Sequence, residues 1–553
     1  MKFLLIVFAA FFTLSVKAQD YRIVIKNYPK NLVPKISDAV SIDKISQNEI
    51  IAFANEKEFA ELKKLKIAFS AEKLKSKPIK KAADMSLRTA TDISEMADFN
   101  LYPSYNVYLE MMDGFIKDYP EIASLVEIGE SVEGRKILAL KITGTEKAEN
   151  LKPEVFLTST MHGDEVCGFV LMLRLADFLL KNYYNNSEVN SILNNINLYI
   201  NPLSNPDGTY HGGDDDISSA RRYNAQNVDL NRNFPRLETF GRDFNPEKET
   251  SAMIDFANKH NFVVSANFHA GDEVVNYPWD SYYESDFTLA DKQWFVDASR
   301  QYVETARLTD ENYMKSVDKS GYIFGSDWYK VSGGRQDYML FFKRCREFTI
   351  ELSSTKLLPV SDLDFFWQKN EKSLLNFLKL PLQGLTGRIT DSYGTPIKAQ
   401  ISIKNYDQNN SSVFSREEDG IYFRPLTADK DFEVCVYADG FKTECQTVTT
   451  KKDENIALDF VLTEGVTDYS TATETTKKLS DISVIISDNK IKINSLDIIS
   501  KVEIVDVFGH IILQDNPEKT LAEYSSDNYK AGIYVIRVKA GGWIKTHKVL
   551  ITK

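Results

Sequence analysis

The chain has 553 residues, more than one hydrophobic core usually serves, so several folded units are expected. Hydrophobic residues at 43% and charged residues at 26% exclude a largely disordered or fibrous chain. A formal net charge of −12 argues against a nucleic-acid binder, which needs a basic field to meet phosphate.

The chain opens with MKFLLIVFAAFFTLSVKAQD, an early Lys, an apolar run and small residues at cleavage spacing, which reads as a signal peptide over residues 1–18. The run from Phe3 to Val16 is shorter than the roughly 20 apolar residues that span a bilayer. No later stretch qualifies, so an exported, soluble protein without a membrane span is expected. In an oxidising compartment its four cysteines can pair. Cys435 and Cys445 lie on adjacent strand-like runs and are the expected partners, whereas Cys167 and Cys345 read as free, buried thiols. None stands in a C-x-x-C pair, which argues against a thiolate zinc site.

Residues 19–96 begin with YRIVIKN and EIIAFAN, read as strands, and EKEFAELKKLKI, read as an amphipathic helix. A basic stretch, EKLKSKPIKKAADMSLRTATD, follows as a linker open to proteolysis, an order of parts that suggests a pro-segment. Over 97–381 helices alternate with buried strands. SYNVYLEMMDGFIKDYP and VCGFVLMLRLADFLLKNYY read as helices, and EVFLTST, NINLYINP, FVVSANF and REFTIEL as strands. The expected fold class is α/β, a mixed-sheet α/β/α domain preceded by a small α+β pro-segment and followed by two all-β sandwich domains. The first sandwich is placed at 382–464, a Thr/Ser/Glu-rich linker at 465–480 and the second β unit at 481–553.

His162 and Glu165, in MHGDEVCGF, directly follow the strand EVFLTST. Two ligands three residues apart can reach one metal from a single turn, although H-x-x-E alone also fits a solvated His beside an exposed carboxylate. His269 closes another strand in VVSANFHAGDE, and in open α/β sheets functional groups gather beyond strand ends. Three protein ligands with a fourth position for water describe a catalytic zinc site. His211, His260, His510 and His547 have no comparable context. Between the two His segments, SSARRYNAQNVDLNRNFP is dense in Arg and Asn. These could cap a turn, but beside a metal they suit recognition of a substrate carboxylate.

The stretches HGDE, RYNAQNVDLNRNFP, SANFHAGDEVVNYPWD, DWYKVSGGRQDY and EFTIELSS together resemble the zinc metallocarboxypeptidases, in particular the regulatory branch that includes carboxypeptidases N, E, M and D. The resemblance implies one zinc ion per chain, held by His162, Glu165 and His269. It implies that Arg222 polarises the scissile carbonyl, that Asn231 and Arg232 bind the substrate's terminal carboxylate under Tyr329, and that Glu351 is the general base. Asp280 and Glu347, with Gln336 nearby, occupy the places that favour a Lys or Arg as the residue removed. The sequence departs from the branch at Arg335, where Met is usual, and in HAGDE, where HGGA is usual; a fixed positive charge at Arg335 is expected to weaken selection for basic residues.

Residues 382–464 resemble the transthyretin-like sandwich of the same branch, and the final unit resembles the C-terminal sorting domain of type IX secretion. The expected partners are peptide or protein C-termini and a secretion machinery, at the cell surface or outside it. Another zinc hydrolase on the same scaffold, such as a deacylase or cell-wall peptidase, and a binding protein without turnover are the alternatives.

Overall fold

Alternating polarity in the strands and apolar stripes on the helices divide the chain into units with separate cores. The computed structural model describes residues 21–73, 85–237, 246–468, 482–487, 489–506, 510–540 and 543–551. The signal-peptide expectation at 1–18 and most of the linker expected at 465–480 lie outside the described residues.

The first unit is a four-stranded antiparallel sheet in the order Ser41–Ile45, Glu49–Ala54, Tyr21–Lys26, Ser70–Lys73. Helices Val33–Ala39 and Glu56–Lys64 cover it, and Ile23, Ile25, Ile36, Ile42, Ile50 and Leu62 form its core. Asn55 and Glu58 close a capping box on the second helix, satisfying backbone donors that the first turn would otherwise leave open.

The central unit is built on an eight-stranded mixed sheet. Its order is Tyr322–Phe324, Glu273–Tyr277, Arg346–Leu352, Phe262–His269, Glu154–Ser159, Asn197–Asn201, Lys136–Ile142, Ala123–Glu130. The middle strands show why helices pack on both faces. Leu138, Leu140, Val155, Leu157, Val264 and Ala266 enter one core with helices Cys167–Asn182, Lys292–Ala306 and Leu363–Leu378. Ile137, Ala139 and Phe156 face the opposite way, into a second core with helices Lys248–Lys259 and Arg335–Lys343. From Glu154–Ser159 the chain runs to a parallel neighbour on one side, Asn197–Asn201, and then to one on the other, Phe262–His269. This reversal makes a crevice beyond the carboxyl ends of the central strands.

Two four-stranded sheets follow, enclosing Leu385, Ile389, Ile401, Ile403, Val434, Val436 and Phe460. Cys435 and Cys445 stand opposite one another in this sandwich and form a disulfide, while Cys167 and Cys345 are free and buried. The sandwich docks on the central unit through buried charges. Asp291 accepts hydrogen bonds from Arg346 Nη2 at 2.7 Å and Arg424 Nη2 at 2.9 Å, and Arg424 also pairs with Asp407. The last unit is one six-stranded sheet organised by the long strand Lys490–Asp506. The first part of that strand lies between Ser483–Ser487 and Lys519–Ser525, and the second between Ile511–Asp515 and Gly532–Ala540. No helix of the described residues is long and apolar enough to cross a membrane.

Candidate metal and active site

Three adjacent parallel strands deliver the key side chains to one place. Glu154–Ser159 leads into the turn carrying His162 and Glu165, Phe262–His269 ends on His269, and Glu351 pairs with His269 in the strand Arg346–Leu352. The turn is tight because its backbone lies on that of Gly208 and Thr209. A Cβ at Gly163 would stand 2.3 Å from the Gly208 carbonyl carbon, so only glycine fits between the two acidic and imidazole side chains.

His162, Glu165 and His269 are buried, and one ligand-capable atom from each lies within 4.8 Å of the others. Glu165 reaches His162 Nδ1 at 3.0 Å and His269 Nδ1 at 2.8 Å. The outer nitrogens are occupied: His162 Nε2 lies 3.1 Å from Asp229 Oδ1, and His269 Nε2 lies 2.7 Å from the Asn267 amide. Such outer contacts set the ring orientations, and the Asp229 carboxylate, accepting from His162 Nε2–H, leaves the His162 Nδ1 lone pair facing inward. The two Nδ1 atoms then face each other at 3.1 Å beside a carboxylate, an arrangement of donors that a divalent cation satisfies. Two neutral imidazoles and a carboxylate are zinc's usual hydrolytic donor set, so the residues present fit that metal. Burial holds His269 down to about 4, favouring the neutral form a ligand needs. Burial alone would raise Glu165, but His162, Lys356 and His269 hold it well below the usual carboxylate range.

The cleft around this cluster, about 500 Å³ with the space open to solvent, is lined among others by Arg222, Asn231, Arg232, Asn276, Asp280, Tyr329 and Glu351. Glu351 is buried, and its Oε2 has no hydrogen-bond partner among the described residues. Burial, Glu165 and Asp272 push its carboxyl well above the ordinary value. A carboxyl raised in this way is suited to proton transfer near neutrality. Arg222 donates to Asp229 Oδ2 from Nε at 3.1 Å and Nη2 at 2.9 Å, which fixes its guanidinium with Nη1 at the cleft. Arg232 Nη2 is buried without a partner among the described residues, next to Asn231, whose carbonyl accepts from Arg232 Nη1 at 3.0 Å. Asp280 lies deeper, 3.0 Å from Asn276 Nδ2, with its carboxyl raised by burial and by Asp337. A Cβ at Gly325 would meet Asp280 Oδ1 at 2.0 Å, so the glycine keeps that space open.

Glu347 and Gln336, grouped with Asp280 by sequence, do not line the cleft. Glu347 is buried behind it, accepting from Ser265 Oγ at 2.8 Å and paired with Arg335 Nη2 at 3.1 Å. Arg335 lies over the Phe156 ring and is likewise buried, so its charge is spent on Glu347 and not in the pocket. The sequence reading also missed four residues of the site: Asp229, Asn267, Lys356 and Asp43. Asp229 and Asn267 each stand two residues from a singled-out position; for Asn267, in the strand with His269, that spacing keeps the side chain on the same face, whereas Asp229 caps the turn that carries Asn231. Lys356 Nζ stands 3.2 Å from Glu165 Oε1 and pairs with Asp43.

Asp43 comes from the first unit. Its carboxylate accepts from Arg222 Nη1 at 3.1 Å and lines the cleft, while Ser41 bonds Asp229. Phe53 packs edge-on against Tyr223 at 5.4 Å, and Tyr329 packs on the first unit's core. The N-terminal unit is thus seated over the cleft with a carboxylate at the buried Arg222 guanidinium.

Residues 108–373 match the family described as zinc carboxypeptidase, and residues 487–552 the secretion system C-terminal sorting domain. Carboxypeptidase D of Drosophila melanogaster is 33% identical over 66% of this chain and 27% of its own length. Carboxypeptidase M of Mus musculus is 32% identical over 57% of this chain and 74% of its own, and carboxypeptidase SOL1 of Arabidopsis thaliana 31% identical over 64% and 70%. The chain spans under a third of the length of the carboxypeptidase D relatives it matches. The chain therefore belongs to the zinc carboxypeptidase family, among its regulatory-type relatives, and carries a secretion-system sorting domain.

Proposed function

We propose that the chain is an exported metallocarboxypeptidase that removes single residues from peptide C-termini, favouring Lys or Arg, with one zinc ion held by His162, Glu165 and His269. The observation that carries this reading is the pair of Nδ1 atoms and the Glu165 carboxylate beside the Glu351 Oε2, which has no partner among the described residues, in a cleft that also holds the Arg232 guanidinium. When bound there, zinc supplies Lewis-acid polarisation and lowers the pKa of a coordinated water towards about 7.

The chain's own groups do the rest. Arg232 and Asn231 take the terminal carboxylate, with paired donors suited to a planar anion, and Tyr329 closes over it. Asp280, buried at the far end of the cleft, meets the cationic side chain of the residue removed. Arg222 donates to the scissile carbonyl oxygen as negative charge develops on it. Glu351 accepts a proton from the attacking water and passes it to the departing amine. The N-terminal unit acts as a pro-segment: Asp43 occupies Arg222, so a substrate carbonyl reaches that guanidinium only after the unit leaves. The sorting domain directs export through type IX secretion and is removed on the way.

Incubating a mixed peptide pool with the purified protein, before and after limited trypsin treatment, and reading the products by mass spectrometry tests the reading. Single C-terminal residues, mostly Lys and Arg, are expected to disappear, and a chelator should abolish the loss. Internal cleavage, deacylation or no change would refute it.

A further inference from the structure

The strand Glu273–Tyr277 runs along the wall of the cleft, and its register orders the cleft's groups in a line. Asn276 pairs with Thr349 and Val274 with Glu351, so each pair shares a face of the sheet. Two residues before Glu273, the Gly271 N–H bonds the Ser353 carbonyl at 2.7 Å, and Asp272 between them lines the cleft. At about 3.3 Å per residue, Asp272 and Asn276 stand some ~7 Å to either side of the Glu351 level. Asp280, bonded to Asn276, belongs to the second of these sides.

A peptide whose terminal side chain reaches Asp280 and whose scissile bond lies at Glu351 must extend its preceding residue towards Asp272. This step rests on the function proposed above. Asp272 is half-buried, and burial pushes its carboxyl up to about 6, so it is ionised at neutral pH and only partly shielded by water. In the closed chain the charge of Lys44, in the N-terminal unit, lowers the Asp272 carboxyl against burial, while the neighbouring Asp43 meets Arg222 and Lys356. Consecutive residues of the covering strand thus present an anion to the cleft's cations and a cation to its outer anion.

We propose that Asp272 is a specificity-determining residue that selects a basic side chain at the position before the scissile bond, so that peptides ending in two basic residues are the preferred substrates. The test uses the full-length, zinc-loaded protein after limited trypsin treatment and three matched peptides ending in Arg-Arg, Leu-Arg and Glu-Arg. We expect kcat/KM for Arg-Arg to exceed that for Leu-Arg by about 5-fold, the scale of one partly exposed charge pair. Asp272→Asn should bring the ratio close to one, and Asp272→Lys should make Glu-Arg the best of the three. Equal rates on all three in the wild type, or a ratio that survives both substitutions, would overturn the assignment of Asp272 alone. If none of the three peptides loses its Arg, the carboxypeptidase reading falls with it.

Discussion

Glu351 and Arg335 show how much a single charged side chain depends on what stands beside it. The Glu351 carboxyl is buried and raised beside the proposed zinc donors, so if it is the base its removal should act on turnover and not on metal affinity. Glu351→Gln is expected to reduce kcat by about 100-fold or more with an unchanged zinc stoichiometry by atomic absorption. Arg335 was expected from sequence to oppose basic substrates. It pairs with Glu347 behind the cleft, which Asp280 lines, so we expect its charge to bear little on the residue removed. Replacing Arg335 by the Met usual in the branch strands the Glu347 carboxylate. Arg335→Met should cost about 3–5 kcal/mol in denaturant unfolding, and adding Glu347→Gln should restore part of it. The identity of these residues was legible in the sequence. Which carboxylate each arginine would meet was not, since Arg335 and Glu347 are placed together only by the packing of the helix Arg335–Lys343 on the sheet.

At the scale of elements, the decisive one is the strand Ser41–Ile45. Its sequence, SIDKI, marks a short strand and nothing more. Seated on the central unit, it carries Ser41 to Asp229, Asp43 to Arg222 and Lys356, and Lys44 towards Asp272. If Asp43 is what occupies Arg222, Asp43→Asn should raise the activity of the uncleaved chain roughly 10-fold, the effect of losing one desolvated charge contact at an interface. Initial rates measured before any proteolysis decide it, and equal rates for wild type and variant would remove Asp43 from the blocking role. Two helices and four strands of the central unit were readable from their periodicity, because the 3.6- and 2-residue repeats are local properties of the chain. The order of eight strands in the sheet was not, since pairing partners lie far apart in sequence and nothing local selects between them.

At the scale of the molecule, the sandwich is joined to the central unit by buried charges around Asp291. Burial alone would raise the Asp291 carboxyl, yet Arg424 and Arg346 hold it below the usual range. Its folded value is therefore lower than its unfolded value of about 3.9, so its contribution to stability is complete above that pH and is lost as the pH falls through the folded value. Thermal unfolding should show a midpoint that drops below pH 4 in the wild type. Asp291→Asn should lose about 3–5 kcal/mol at neutral pH and show a weaker acid dependence, because two arginines are left facing a neutral amide.

The sequence by itself determined the α/β character of the middle unit, the disulfide partners on facing strands and the short HGDE and HAGD runs in which candidate metal ligands stand. These follow from hydrophobic period, residue type and short spacing, all of which act within a few residues along the chain. Only the tertiary structure decided that His162 and His269, 107 residues apart, turn their Nδ1 atoms to one point, that Glu347 is neutralised, and that Asp43 reaches Arg222 across 179 residues. Those outcomes depend on which strands lie adjacent and how units dock, a property of close packing in three dimensions that no local pattern encodes.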